Sequence, residues 1–464
     1  MWAGVFLAAL ESFRVSTVRA GIEQRGSMRF LQGELHLMLV SKSAARRTLL
    51  LLPLLAILAA GSAFAQSYPA LSETVLDGIR GRLNFVTVAD LNRDGIDDIV
   101  AVDDMATPYG NPAILIFFGR ADGSFAPPVA HPGGPNYPGG GLAIADMNLD
   151  GIPDVVFATG YEVGIMYGDG SGGFAPTGMF PLSSYGFQRV TGLVAASRDG
   201  STLPSACLSQ GRCGPQAVVA VTGTDYWQTL PNRVVVLEWS TSPGGTLPLS
   251  PIVEALNSSS VLAMNRSGTW LPPGTSNGTD LLLAGGQDNP GFASLFNAAL
   301  YPSGQWLGYF NSALSADLNG DGLSDLVYSD GRLGVSLQGP QGLGIAGTVP
   351  AVTFETSGAV TVLGTGDMDG DGKLDIVGSV WMPQYQSGLA VFRGDGRGGF
   401  LSQEYFSNSL QASERLTLGV GKLGSLGFVA VPRVTQIAVV WYTRGGFTVS
   451  AGADQTVVAP NGSA

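Results

Sequence analysis

From residue 84 onward the chain is a succession of short apolar, β-branched runs, each broken by a turn rich in glycine or aspartate. Asn84–Ala89, Asp98–Val102, Ile114–Phe118, Val163–Tyr167, Ala217–Val221, Arg233–Leu237, Val261–Asn265, Asp280–Ala284, Leu389–Phe392, Phe428–Val431 and Ile437–Tyr442 are examples. Their length and residue types predict β-strands. No long stretch beyond the N-terminus has helical periodicity. Sixty-seven glycines and only 13% charged residues suit many strands joined by tight turns.

The runs repeat as a unit. An aspartate-rich loop precedes a strand, a variable connection, a second strand and a glycine-rich turn that ends in Phe, as at Phe125, Phe174 and Phe400. Two such loops begin 56 residues apart, at 90 and 146, and two begin 50 apart, at 317 and 367. Units without the loop fall between them and after them, around 190–237, 261–284 and 416–447. The total is seven units of four strands. Repeats of this length predict an all-β fold, a seven-bladed β-propeller over residues 66–450. Residues 70–83 are candidates for a strand that completes the last blade.

The loops carry the candidate chemistry. Asp90, Asn92, Asp94 and Asp98 stand at positions 1, 3, 5 and 9 of the first, with Gly95 at position 6. Asp146, Asn148, Asp150 and Asp154 repeat the spacing, as do Asp317, Asn319, Asp321 and Asp325, and then Asp367, Asp369, Asp371 and Asp375. Hard oxygen donors at this spacing predict about four Ca2+ sites, with the backbone carbonyls of Ile96, Ile152, Leu323 and Lys373 as further ligands. The loops are not EF-hands. Position 12 is Ala101, Phe157, Tyr328 or Gly378 rather than Glu, and strands flank the loops in place of helices.

These loops and the glycine-Phe turns resemble FG-GAP (VCBS-type) repeats, the units of integrin α-subunit propellers and of many secreted bacterial proteins. The resemblance spans roughly residues 84–450 and implies a calcium-stapled propeller used for extracellular binding or adhesion. The tail, 451–464, resembles the first strand of a PKD-like module and is too short to fold as one.

The N-terminal 65 residues read as an extension and signal peptide. Lys42, Arg46 and Arg47 precede an apolar run from Leu49 to Ala60, and Ala63-Phe64-Ala65 offers a cleavage site before Gln66. The run is too short for a stable membrane span, so no transmembrane segment is expected in the mature chain. With those seven basic and three acidic residues removed, 17 basic and 33 acidic residues remain, a net charge of −16. Four Ca2+ would cancel eight of those charges. The acidity argues against nucleic acid and anionic membranes as partners, since both require basic patches. Cys207 and Cys213 are close enough in sequence for a local disulfide in an exported chain.

Connections between the second and third strands should share the face opposite the aspartate loops. Tyr109, Tyr226, Trp227, Trp381 and Tyr385 fall there, and the inter-blade stretch with His131 and Tyr137 should join them. Aromatic rings with a few polar partners suit a glycan or a protein ligand; the competing reading is that the rings cap blade ends. Arg393-Gly394-Asp395 spells an adhesion tripeptide inside a turn that the repeat needs in any case. His131 is the single histidine of the mature chain, and no nucleophile elbow is present. Catalysis on a polysaccharide, by a lyase or glycosidase, therefore stands as the alternative to a monomeric binding module.

Overall fold

The computed structural model describes residues 72–103, 113–133, 140–148, 150–176, 179–197, 217–224, 233–239, 252–254, 260–265, 280–284, 292–297, 302–339, 342–343, 352–354, 356, 359–382, 386–407, 417–433 and 435–442. The leader, Cys207, Cys213 and the tail lie outside them.

Among the described residues the strands pair into seven antiparallel sheets. In chain order, the first strands of the sheets are Leu83–Ala89, Gly141–Ala145, Arg189–Ser197, Ser260–Asn265, Ser312–Ala316, Ala359–Gly366 and Gly419–Leu423. Each sheet is a meander, so sequence neighbours are sheet neighbours. In the second sheet two short strands, Phe174–Pro176 and Phe180–Pro181, share the outer position. The seventh sheet takes its outer strand from the other end of the chain. Glu73–Leu76 pairs with Ile437–Tyr442, Glu73 opposite Val440 and Leu76 opposite Ile437. Arg433 clasps Glu73 through two contacts of 2.7 Å, and the Trp441 indole donates to Thr74 Oγ1 at 2.8 Å. The expected strand within 70–83 thus closes the last sheet.

The first strand of each sheet lies against the first strand of the next, and Gly419–Leu423 lies against Leu83–Ala89. The ring therefore closes on itself, which makes the fold a β-propeller and leaves few open edges.

Packing between the sheets follows the period of a strand. Along Leu426–Pro432, Phe428 and Ala430 face Ile99, Ala101 and Leu115 of the first sheet. The intervening Val429 and Val431 face Val377, Leu389 and Val391 of the sixth. A strand buried on both faces needs apolar residues at every position. Asp98–Asp103, Ala113–Phe117 and Ile437–Tyr442 are accordingly buried throughout, and their sequences run apolar rather than alternating.

The Phe that ends each glycine-rich turn has a defined partner. Phe125 meets Phe428 of the seventh sheet edge-on at 5.4 Å between ring centroids. Phe174 meets His131 of the first sheet at 5.5 Å. Phe400 meets Phe354 of the fifth at 4.7 Å. The turn Phe thus ties its sheet to the preceding one. Phe400→Ala should lower unfolding free energy by about 2–3 kcal/mol, whereas Leu401→Ala, at a residue 61% exposed, should change it by less than about 0.5 kcal/mol. Chemical denaturation of the two variants checks this.

Candidate functional site

The four aspartate loops join the first and second strands of the first, second, fifth and sixth sheets. Each is wound on its own backbone. The position-1 carboxylate accepts the N–H of the position-6 glycine, Gly95 to Asp90 at 2.9 Å, Gly151 to Asp146 at 2.8 Å, Gly322 to Asp317 at 2.8 Å and Gly372 to Asp367 at 3.1 Å. The position-5 carboxylate accepts the position-7 N–H at 2.8–3.0 Å. Such a turn requires a left-handed residue at position 6, where φ lies between 79° and 82° in all four loops.

Position 9 does something different. Asp98, Asp154, Asp325 and Asp375 are at most 1% exposed. One oxygen of each accepts the N–H of position 2, from Leu91, Met147, Leu318 and Met368 at 2.7–3.0 Å. The other accepts an N–H from the end of the third strand, from Gly119, Gly168, Gln338 and Gly394 at 2.8–2.9 Å. A single side chain thereby locks the loop to a strand that does not adjoin it in sequence.

The same contact explains three of the strand-end glycines. A Cβ on Gly119, Gly168 or Gly394 would lie 2.1–2.5 Å from the position-8 carbonyl oxygen of Asp97, Pro153 or Leu374. Gly168→Ala should cost about 1–3 kcal/mol. Gly339→Ala, where the nearest atom is 3.9 Å away, should be close to neutral in the same unfolding assay.

Burial pushes the Asp98, Asp154 and Asp375 carboxyls up to about 6, and the nearby loop aspartates add to it; their two N–H donors only partly oppose this. Asp325 moves the same way. With folded values above the ordinary 3.8, the metal-free fold holds more protons than the unfolded chain between about pH 4 and 6. Its stability should therefore fall as pH rises through that window, and unfolding in chelator should show a higher Tm at pH 5 than at pH 7.5.

The donor set is all oxygen, as a hard cation requires. Asp367, Asp369 and Asp375 each offer an oxygen, and these lie within 4.8 Å of one another. Asp367 Oδ1 is buried with no hydrogen-bond partner. The loops are also linked across sheets, by residues the sequence reading passed over. Arg93 of the first loop reaches the Gly151 carbonyl of the second. Asp97 exchanges hydrogen bonds with the Lys422 backbone of the seventh sheet, at 2.7 and 3.3 Å. The Lys422 ammonium then meets Asp367 Oδ2 of the fourth loop at 3.0 Å. Neither Arg93 nor Lys422 has a motif that announces it; only the ring brings them to the neighbouring loop.

Arg393 is pinned on Asp369 with its side chain 14% exposed, and Asp395 Oδ1 accepts the N–H groups of Arg397 and Gly399. The Arg-Gly-Asp tripeptide is thus consumed by the turn. On the opposite side, Trp381 lies near the end of the second strand of the sixth sheet, paired with Ser387. Tyr109, Tyr137, Tyr226, Trp227 and Tyr385 fall outside the described residues. His131 stands on the outer strand Val129–Pro132, opposite Ile114, rather than in a loop. Burial lowers its pKa, and its Nε2 has no hydrogen-bond partner.

A family model described as an FG-GAP-like repeat matches residues 90–157 and 317–378, each stretch holding two of the four loops. The chain carries FG-GAP-like repeats. Two crystal structures of BBS1N in complex with ARL6DN, one soaked with lead and one with mercury, match at 12% and 11% identity and a TM-score of 0.48. The matches cover 80% of this chain and 97% and 96% of those chains. A comparison with curated proteins gives no match. No helix among the described residues is long and apolar enough to cross a membrane.

Proposed function

We propose that this chain is a secreted, calcium-stabilised propeller, one blade per sheet and seven in all, that binds a carbohydrate or protein partner outside the cell. The observation that carries this reading is the recurrence of one oxygen-lined loop in four sheets, each with its ninth-position carboxylate buried beneath it. Buried carboxylates held near pH 6 by desolvation are costly to ionise, and a divalent cation at the loop offsets that cost. The ligands are those at positions 1, 3, 5, 7 and 9 of each loop.

At ten times its Kd, each ion adds about 1.4 kcal/mol. Four independent ions would add roughly 5–6 kcal/mol, comparable to the net stability of a whole domain. The leader that ends at Ala65 supports export into a calcium-rich, oxidising medium, where Cys207 and Cys213 would pair. Partner binding falls to the face opposite the calcium loops, through Trp381, Tyr109, Tyr137, Tyr226, Trp227 and Tyr385. A monomer is sufficient, because the ring satisfies its own edges. The alternative, a polysaccharide-cleaving enzyme, draws no support from His131, whose ring is turned edge-on to Phe174 within the sheet-to-sheet contact.

Thermal unfolding of the purified protein with excess Ca2+ and with chelator tests the reading. Calcium should raise Tm by several degrees, Mg2+ should do so less, and the gain should shrink from pH 7.5 to pH 5 as protons compete for position 9. An unchanged Tm would reduce the loops to acidic turns. Trp381→Ala should abolish any glycan-array or pull-down signal while leaving the calcium-dependent Tm in place.

A further inference from the structure

The fourth loop differs from the other three in the company it keeps. It carries Asp369 at position 3 where the others carry Asn. Three of its four carboxylates each meet a basic side chain. Lys373 Nζ lies 3.2 Å from Asp371, Arg393 Nε lies 2.8 Å from Asp369, and Lys422 Nζ lies 3.0 Å from Asp367. Two of these residues belong to the loop's own sheet. Lys422 comes from the seventh sheet, where a two-residue turn, Gly424 and Ser425, joins the first two strands in place of an aspartate loop.

The Lys422 backbone is fixed by Asp97 of the first loop, so its ammonium is delivered to the fourth loop from a set position. Yet Asp367, which clusters with Asp369 and Asp375, keeps one buried oxygen, Oδ1, without a hydrogen-bond partner. The loop can thus take a cation at Oδ1 while an ammonium sits on Oδ2 of the same carboxylate.

We propose that Lys422 is a built-in competitor for the divalent ion at the fourth loop, which makes this loop the weakest calcium site and the last to fill. The proposal rests on the calcium reading above. Affinity in such loops follows the net charge of the ligands, and a fixed positive charge beside Asp367 opposes an incoming one. Filling the site then weakens the ion pair between the sixth and seventh sheets, so calcium concentration tunes that one junction.

Calcium chloride titrated calorimetrically into the chelator-stripped full chain tests this. The wild type should show tight sites and one that is weaker by at least about tenfold. Asp367→Asn should delete the weak site and leave the tight ones. Lys422→Met should tighten the weak site by about tenfold and Lys422→Arg should not. The Lys422 side chain is 42% exposed, so Lys422→Met should fold, with a slightly lower Tm in chelator. In saturating calcium its Tm should equal or exceed that of the wild type. Loss of a tight site in Asp367→Asn, equal affinities in the wild type, or no change in Lys422→Met would overturn the proposal while leaving the calcium reading intact. No calcium binding in any variant would overturn both.

Discussion

A carboxylate buried between two backbone N–H groups is the contact on which each loop-bearing sheet depends. In Asp98, Asp154, Asp325 and Asp375 both oxygens are used, one on the loop's second residue and one on the far end of the third strand. The clamp fixes the length of the loop, because any insertion between positions 2 and 9 would pull the two donors apart. It also fixes the residue at the strand end, because the position-8 carbonyl approaches too closely for a side chain at Gly119, Gly168 and Gly394. The fifth sheet departs from this. Gln338 supplies the N–H there, and this sheet has no glycine at the same point.

The clamp has an electrostatic cost that shapes the rest of the loop. Two neutral donors do not fully replace water around a carboxylate, so the buried group holds its proton more tightly than usual. A cation in the loop would answer that cost from the solvent side. A proton answers it as well, so acidity and a loop-bound calcium ion would act on the same four side chains in opposite ways. The first favours a neutral, metal-free loop and the second an ionised, metal-bound one.

Much of the fold was legible because propeller strands are buried on both faces and so read as unbroken apolar runs between turn residues. Spacing within the loops was legible because glycine and aspartate have few substitutes in a left-handed turn lined by N–H donors. The contacts between loops were not. Arg93, Asp97 and Lys422 look like ordinary surface charges along the chain, and Lys422 is 55 residues from the aspartate it meets. Along the chain His131 falls in a connection between units and is expected on the binding face. It belongs instead to an outer strand, where an apolar neighbour, Phe174, decides its place. The ring, a long-range property, determines both outcomes.

The belt of contacts from the sixth sheet through the seventh and first to the second spans the point where Glu73–Leu76 pairs with Ile437–Tyr442. The closing strand Glu73–Leu76 adds to the outer edge of the seventh sheet, yet that sheet has no aspartate loop to brace its inner hairpin. Lys422 links it instead to the loops on either side, through its backbone to Asp97 and through its ammonium to Asp367. The sheet that joins strands from distant parts of the sequence is therefore held by its neighbours' loops rather than by one of its own. An ion at the fourth loop would bear on the closure of the ring, because Asp367, one of the carboxylates that would hold it, also meets Lys422 of the seventh sheet.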